Sequence, residues 1–399
     1  MTDSQLNSEK TMEWDPVTAW KPRVDADKSS AAEIYAKQRE TCPLSLDTTE
    51  RGQRMWHAFR ASEITEILQN TEIFSSAVPK FGKPIIPIEL DPPEHTQFRR
   101  LLSNMMAPRR LLRYEESIRS AVIAELTPLI EAGGGDFVPL TYRIPIRAFC
   151  LLVGETDDGT FAELDHNLRV NAPPFDRGDK EALEQRAAAL LPLTDYCREK
   201  LRARRGNPRD DLASDIANGQ IDGALIDEDD ATRMLTLIYM AGHDTTAMGI
   251  QGAISLLARY PDAQRDLRAK PSRIPAATEE CLRLEPPLHT LPRYCTRDTV
   301  LGGRSILSGD QVYPVFGAAN VDPEGFASPE VFNIDRKPNH FAFGRGIHTC
   351  PGSPLARTEI RVLLEELLGR TKHFSLGENA FRKPWPRNGY IELPIVLST

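Results

Sequence analysis

The chain has 399 residues, 40% of them hydrophobic and 27% charged, with a formal net charge of −8. Such a length buries a core large enough to enclose a cofactor, and the acidic balance argues against nucleic acid as a partner. A polar N-terminus without a signal-peptide core, and no apolar run of membrane-spanning length, predict a cytoplasmic protein with no membrane partner.

Residues 1–28 read as a polar N-terminal extension. No linker, repeat or charge block divides residues 29–399, which read as a single domain. Apolar periodicity predicts helices at 30–41, 61–70, 94–105, 112–132, 158–168 and 180–205. A strand is expected at 55–60. The helix at 94–105 follows Asp91-Pro92-Pro93, a stop-and-start signal. It carries His95 and Arg99 at i and i+4, on one face. By residue type alone this face is solvated or binding.

The predicted helix at 227–259 is the longest. It opens on Asp227, Glu228, Asp229 and Asp230, acids suited to the positive helix end, and stops before Pro261. In its middle, Ala241-Gly242-His243-Asp244-Thr245-Thr246 gathers poor helix formers. A threonine hydroxyl there can bond to the preceding turn and bend the helix. The segment is either a kinked core helix or an acid and an alcohol placed for chemistry. Helices at 261–269 and 274–284 follow. The second carries Glu280 and Arg283 at i and i+3, by itself a common surface pair. Strands are expected at 293–297, 299–301, 304–307 and 311–316, with turns at Gly302-Gly303 and Ser308-Gly309-Asp310. Residues 318–342 read as a long coil, and a last helix spans 353–368.

Cys350 stands directly before that last helix. A lone cysteine is most often a packing residue, and Cys281 and Cys295 read that way. Behind Cys350, however, a helix N-terminus offers free N–H groups and a positive dipole end, which favour the thiolate. Pro351 has no N–H, so donors to the sulfur are expected from Gly352 and Ser353. None of the six cysteines forms a CxxC pair, so zinc and disulfide exchange lack support. A lone thiolate suits haem iron.

The run Phe343, Gly344, Gly346, His348, Cys350 and Gly352 resembles the haem-binding signature of the cytochrome P-450 family. Further motifs fall in the family's order from residue 91 onward. The resemblance implies a mainly α fold with small β-sheets, with haem buried between two long helices. It makes Cys350 the axial ligand of haem b, with Phe343, Gly344, Gly352 and Gly242 beside the cofactor. His95, Arg99, Arg293 and His348 would hold its propionates. Gly242 would leave room for O2, and Asp244 and Thr245 would manage protons. Glu280 and Arg283 would meet Arg336 and brace the coil that supports the cysteine loop. The similarity is to the soluble bacterial camphor-hydroxylase branch. His243, Ala241 and a loop 75–90 without tyrosine depart from it, so camphor is not the expected substrate.

The implied activity is a monooxygenase inserting one oxygen atom of O2 into a C–H bond. With no second cofactor domain in the chain, electrons would come from an iron–sulfur ferredoxin and its reductase. Arg109, Arg110 and Arg357 are the expected docking residues. Ile85, Ile86, Leu237, Met240, Ala241, Leu288, His289 and Leu291 are expected to line an apolar pocket for a terpenoid-like molecule. Lys83 or His289 could anchor a polar group. The chain is expected to be a monomer. Competing readings are a peroxide-dependent haem-thiolate hydroxylase, a non-catalytic haem sensor or carrier, and a cofactor-free helical binding protein.

Overall fold

The structure, a computed structural model, describes residues 31–49, 52–77, 83–155, 159 and 180–399. The expected extension 1–28, most of the expected helix 158–168 and loop residues 78–82 lie outside the described residues. In chain order the larger helices are α1 (Ala31–Thr41), α2 (Ala61–Gln69), α3 (Glu94–Met105), α4 (Glu115–Glu131), α5 (Val138–Leu152), α6 (Lys180–Arg204), α7 (Glu228–Ala258), α8 (Pro261–Ala269), α9 (Ile274–Leu284) and α10 (Ser353–Arg370). The strands that matter below are β1 (Leu44–Thr48), β2 (Arg54–Ala58), β3 (Phe74–Ser75), β4 (Gly134–Asp136), β5 (Arg293–Cys295), β6 (Gln311–Pro314), β7 (His373–Leu376) and β8 (Pro394–Ser398). The described chain is therefore mainly helical with small sheets, as the sequence predicts.

Contacts group the chain into two compact units, each assembled from separated segments. The first takes the chain up to Ser76, then Glu279–Thr349 and Asn379–Ile391. Its sheet has the order β1-β2-β6-β5-β3, antiparallel except where β6 runs parallel to β2. Trp56, Phe74, Val312 and Phe316 fill the core against α2. The expected Gly302-Gly303 turn joins a hairpin pairing Thr299–Leu301 with Arg304–Ile306. Both glycines have positive φ, 54° and 79°, which only glycine adopts at little cost. The strand expected to run to residue 316 ends at Pro314, and a short helix, Phe316–Asn320, follows.

The second unit takes Ala77–Thr278, Cys350–Glu378 and Glu392–Thr399. Its centre is α7, buried at every residue from Thr246 to Ala258, with α5, α6 and α10 packed on it. Asp227 caps α7 by accepting from the N–H groups of Asp229 and Asp230. The periodicity reading does not include α5, because Pro139 and Pro145 interrupt it. Pro139 sits in the first turn, where proline is tolerated. Pro145 lies inside, yet Leu140, Tyr142, Ile144, Ile146, Phe149 and Leu152 are buried around it. Packing outweighs the lost hydrogen bond, as it does for most protein helices. A three-stranded antiparallel sheet, β7-β8-β4, completes this unit.

Candidate functional site

Cys350 is half-buried at the start of α10. The N–H groups of Gly352 and Ser353 donate to its sulfur, the donors that the missing N–H of Pro351 predicts. The charges of Arg99 and Arg357 also favour the thiolate. Even so, burial pushes the Cys350 thiol above its ordinary range and outweighs all four favourable contacts. Desolvation thus opposes the thiolate that the helix end favours. A coordinated metal ion deprotonates a thiol outright, so the donors around Cys350 suit a metal-bound sulfur rather than a free thiolate.

Arg99 reaches Cys350 from α3. Burial lowers its guanidinium below the ordinary value, and the negative end of the Cys350 interaction opposes that shift. His95, one turn earlier on the same helix face, is buried. Its imidazole is held below its usual range by burial and by repulsion from Arg99, against Asp91. The face that sequence left as solvated or binding is thus turned inward, while the neighbouring Arg100 is exposed.

The Ala241–Thr246 segment stays helical within α7, so a kink there, one of the two readings of the sequence, is no break in the helix. The Thr245 hydroxyl donates to the Ala241 carbonyl at 2.6 Å, as threonine in a helix commonly does. The segment differs from the rest of the helix in exposure. Ala241 and Gly242 are exposed, although α7 is buried from Thr246 onward. A Cβ added at Gly242 would meet no atom within 4 Å, so the glycine opens space on that side. Asp244 is half-buried and accepts a hydrogen bond at Oδ1 from the Tyr142 hydroxyl of α5, at 3.0 Å. His243 points inward, stacked on Tyr239 at 5.6 Å and tilted against Tyr142 at 5.3 Å. The Tyr142 contact lies beyond sequence reasoning, since it joins residues 102 apart through a helix that periodicity misses.

In the first unit, Glu280 and Arg283 are fully buried rather than a surface pair. Arg283 makes two bonds to Glu280, at 2.8 and 2.7 Å, and donates to the carbonyls of Asn320, Pro329 and Val331. Arg336 joins Glu280 at 3.1 Å and donates to Ala327, Ser328 and Val331. The trio pins the coil from 320 to 336. Removing one partner of such a buried pair typically costs about 3–5 kcal/mol. Farther along, Gly344 and Gly346 have φ of 67° and 73°. A Cβ on Gly346 would lie 2.5 Å from the Leu68 carbonyl oxygen, so this loop position requires glycine. Phe343 packs near His340, His348 is half-buried, and Arg293 is buried on β5, donating to the Pro292 carbonyl.

The expected pocket residues divide. Leu237, one turn before the exposed Ala241, and Met240, next to it, are half-buried on α7, and Ile85 is half-buried too. Ile86 is buried, 3% exposed, in one core cluster with Leu90, Phe98 and Leu102. His289 is buried as well: it is 0% exposed, its ring against Tyr35, and burial lowers its pKa to about 3. Leu288 is half-buried and Leu291 is exposed. Lys83 is exposed and paired with Asp229 at the start of α7. Among the expected docking arginines, Arg109 is exposed, Arg110 is tied to Asp215 at 2.6 Å, and Arg357 acts on Cys350. No described helix is long and apolar enough to cross a membrane.

The sequence model of the family described as Cytochrome P450 matches residues 161–274 and 273–389. The chain is 31% identical to linalool 8-monooxygenase of Pseudomonas putida, over 92% of this chain and 95% of that protein. It is 32% identical to erythromycin C-12 hydroxylase of Saccharopolyspora erythraea, over 86% and 88%. Its fold is similar to the ligand-free structure of cytochrome P450 TbtJ1, with a TM-score of 0.83, 31% identity, and 94% and 100% of the two chains covered.

Proposed function

Since the chain belongs to the cytochrome P450 family and is therefore a haem-dependent monooxygenase, we propose that it hydroxylates a small, hydrophobic, terpenoid-like molecule with electrons from a separate ferredoxin. The observation that carries the reading is the setting of Cys350: two amide donors and two guanidinium charges converge on one sulfur at a helix start. These donors, together with the open side of Gly242, fit a haem. Cys350 would ligate the iron, with His95 and Arg99 binding an acidic edge of the cofactor. Thiolate-bound haem supplies the activation of dioxygen.

The chain's own groups do the rest. Leu237, Met240 and Ala241 exclude water and take the apolar substrate. Thr245 would release the Ala241 carbonyl and hold a proton at its Oγ1, beside the open side of Gly242. Asp244 delivers the protons. The Asp244–Thr245 pair favours dioxygen over peroxide as the oxidant, since peroxide arrives carrying its protons. A terpenoid-like substrate is supported by the half-buried apolar lining and by the relative named for linalool. The remaining thiols fit a reducing cytoplasm, and all six cysteines stand outside any disulfide. The test is the optical spectrum of the reduced protein under carbon monoxide. The expected result is a strongly red-shifted Soret band that disappears in Cys350→Ser. A colourless protein, or an unshifted band, overturns the reading.

A further inference from the structure

Asp244 is held from outside its own helix. Its Oδ1 accepts from the Tyr142 hydroxyl at 3.0 Å, and Tyr142 is 4% exposed. The phenol itself is fixed. His243 lies against its ring at 5.3 Å, Tyr239 stacks on His243, and Phe149 meets Tyr239 edge-on at 5.1 Å. Two turns farther along α7, Gln251 donates to Thr141, the neighbour of Tyr142, at 2.8 Å. Both residues of that second bond are fully buried. Asp244 and Gln251 are seven apart and so share a helix face. Consecutive residues of α5 therefore grip one face of α7 at two heights, and the upper grip is on the carboxylate.

A carboxylate on a half-buried helix position samples several rotamers unless something selects one. A hydrogen bond from a buried phenol whose ring lies against His243, itself stacked on Tyr239, selects one. We propose that Tyr142 is the positioning residue of the proton-delivering acid, fixing Asp244 through Oδ1 so that the carboxylate keeps one orientation during turnover. His243 belongs to the same device as the wall that stops the phenol from swinging away. The inference rests on the reading of Asp244 as the group that delivers protons.

The test uses the haem-loaded enzyme with its reductant and compares Asp244→Asn, Tyr142→Phe and the double variant. Tyr142→Phe should keep its haem and its KM, while kcat falls about tenfold, the worth of one good hydrogen bond to a charge. The solvent deuterium isotope effect on kcat should rise. The double variant should be no slower than Asp244→Asn alone, because the two changes disable one device. Independently of turnover, 3-fluorotyrosine placed at position 142 should show a 19F signal that moves when Asp244 becomes Asn, in haem-free and haem-loaded protein alike. Wild-type kcat and isotope effect in Tyr142→Phe, beside a slow Asp244→Asn, overturn the inference and leave the acid's role standing. Wild-type kcat in Asp244→Asn overturns the acid's role and the inference with it. If Tyr142→Phe does not fold, an unmoved fluorine signal still overturns the proposal.

Discussion

Thr245 and Asp244 are adjacent on one helix and are restrained by different means. The threonine hydroxyl is bonded within α7, one turn back, at 2.6 Å. The acid is bonded outside it, to α5. A bond to the preceding carbonyl is easily exchanged, because that carbonyl already serves the helix and loses little when the hydroxyl turns away. Thr245→Ala should therefore leave folding almost untouched, within about 0.5 kcal/mol, since alanine is also the better helix former. Its cost should fall on coupling. The variant should keep haem and consume reductant, while most of the product is replaced by peroxide. Product formed per reductant oxidised is the measurement, and unchanged coupling would remove Thr245 from the proton path.

At the scale of the helix, α10 carries an unusual burden. Its outer side joins α4 through a network in which Arg119 meets Glu115, Glu365 and Glu366, and Arg361 meets Glu115 and Glu365. Its inner side buries Glu359, 2% exposed, whose Oε2 has no hydrogen-bond partner among the described residues. Burial raises this carboxyl from its ordinary 4.5 to about 8. Folded protein thus keeps a proton that the unfolded chain releases near pH 4.5. Between those two values the folded state binds more protons, so stability falls as pH rises. The stabilisation is complete below pH 4.5 and is lost as pH climbs through 8. Glu359→Gln removes the titration. It should match the parent in urea unfolding at pH 5 and exceed it at pH 8 by on the order of 2–4 kcal/mol. A difference that does not grow with pH would mean that Glu359 is ionised and satisfied in the fold.

Over the whole molecule, residue spacing made legible what lies close along the chain, whereas the distant meeting of Arg336 with Glu280 followed only from the family resemblance. The donors to Cys350 are two and three residues away, and Glu280 and Arg283 are one helical turn apart. Helix spacing or a missing proline N–H reveals such neighbours. Contacts set by tertiary packing were not legible: the grip of Tyr142 on Asp244, the burial of Ile86 and His289, and the pairing of β8 with β4. The last joins a strand opening on Pro394 to Gly134-Gly135-Asp136, residue types that strands usually avoid. Gly134 is needed there because a Cβ would fall 2.1 Å from the Ile395 carbonyl oxygen, a fact no local pattern contains. Charge behaves in the same way. The net charge of −8 would repel an acidic ferredoxin. Yet at physiological salt a charge is felt over only about 8 Å, so the local surface decides encounter. In the second unit Arg110 is committed to Asp215, and Arg357 lies close enough to act on Cys350, whereas Arg109 is exposed. Arg109→Glu should therefore slow bimolecular reduction by ferredoxin about tenfold at low ionic strength, and Arg110→Ala should slow it less. The gap between parent and Arg109→Glu should close as salt is raised, because the lost term is steering. Stopped-flow reduction across a salt series measures this directly. Rates that ignore both salt and Arg109 would place the partner on a different face of the protein.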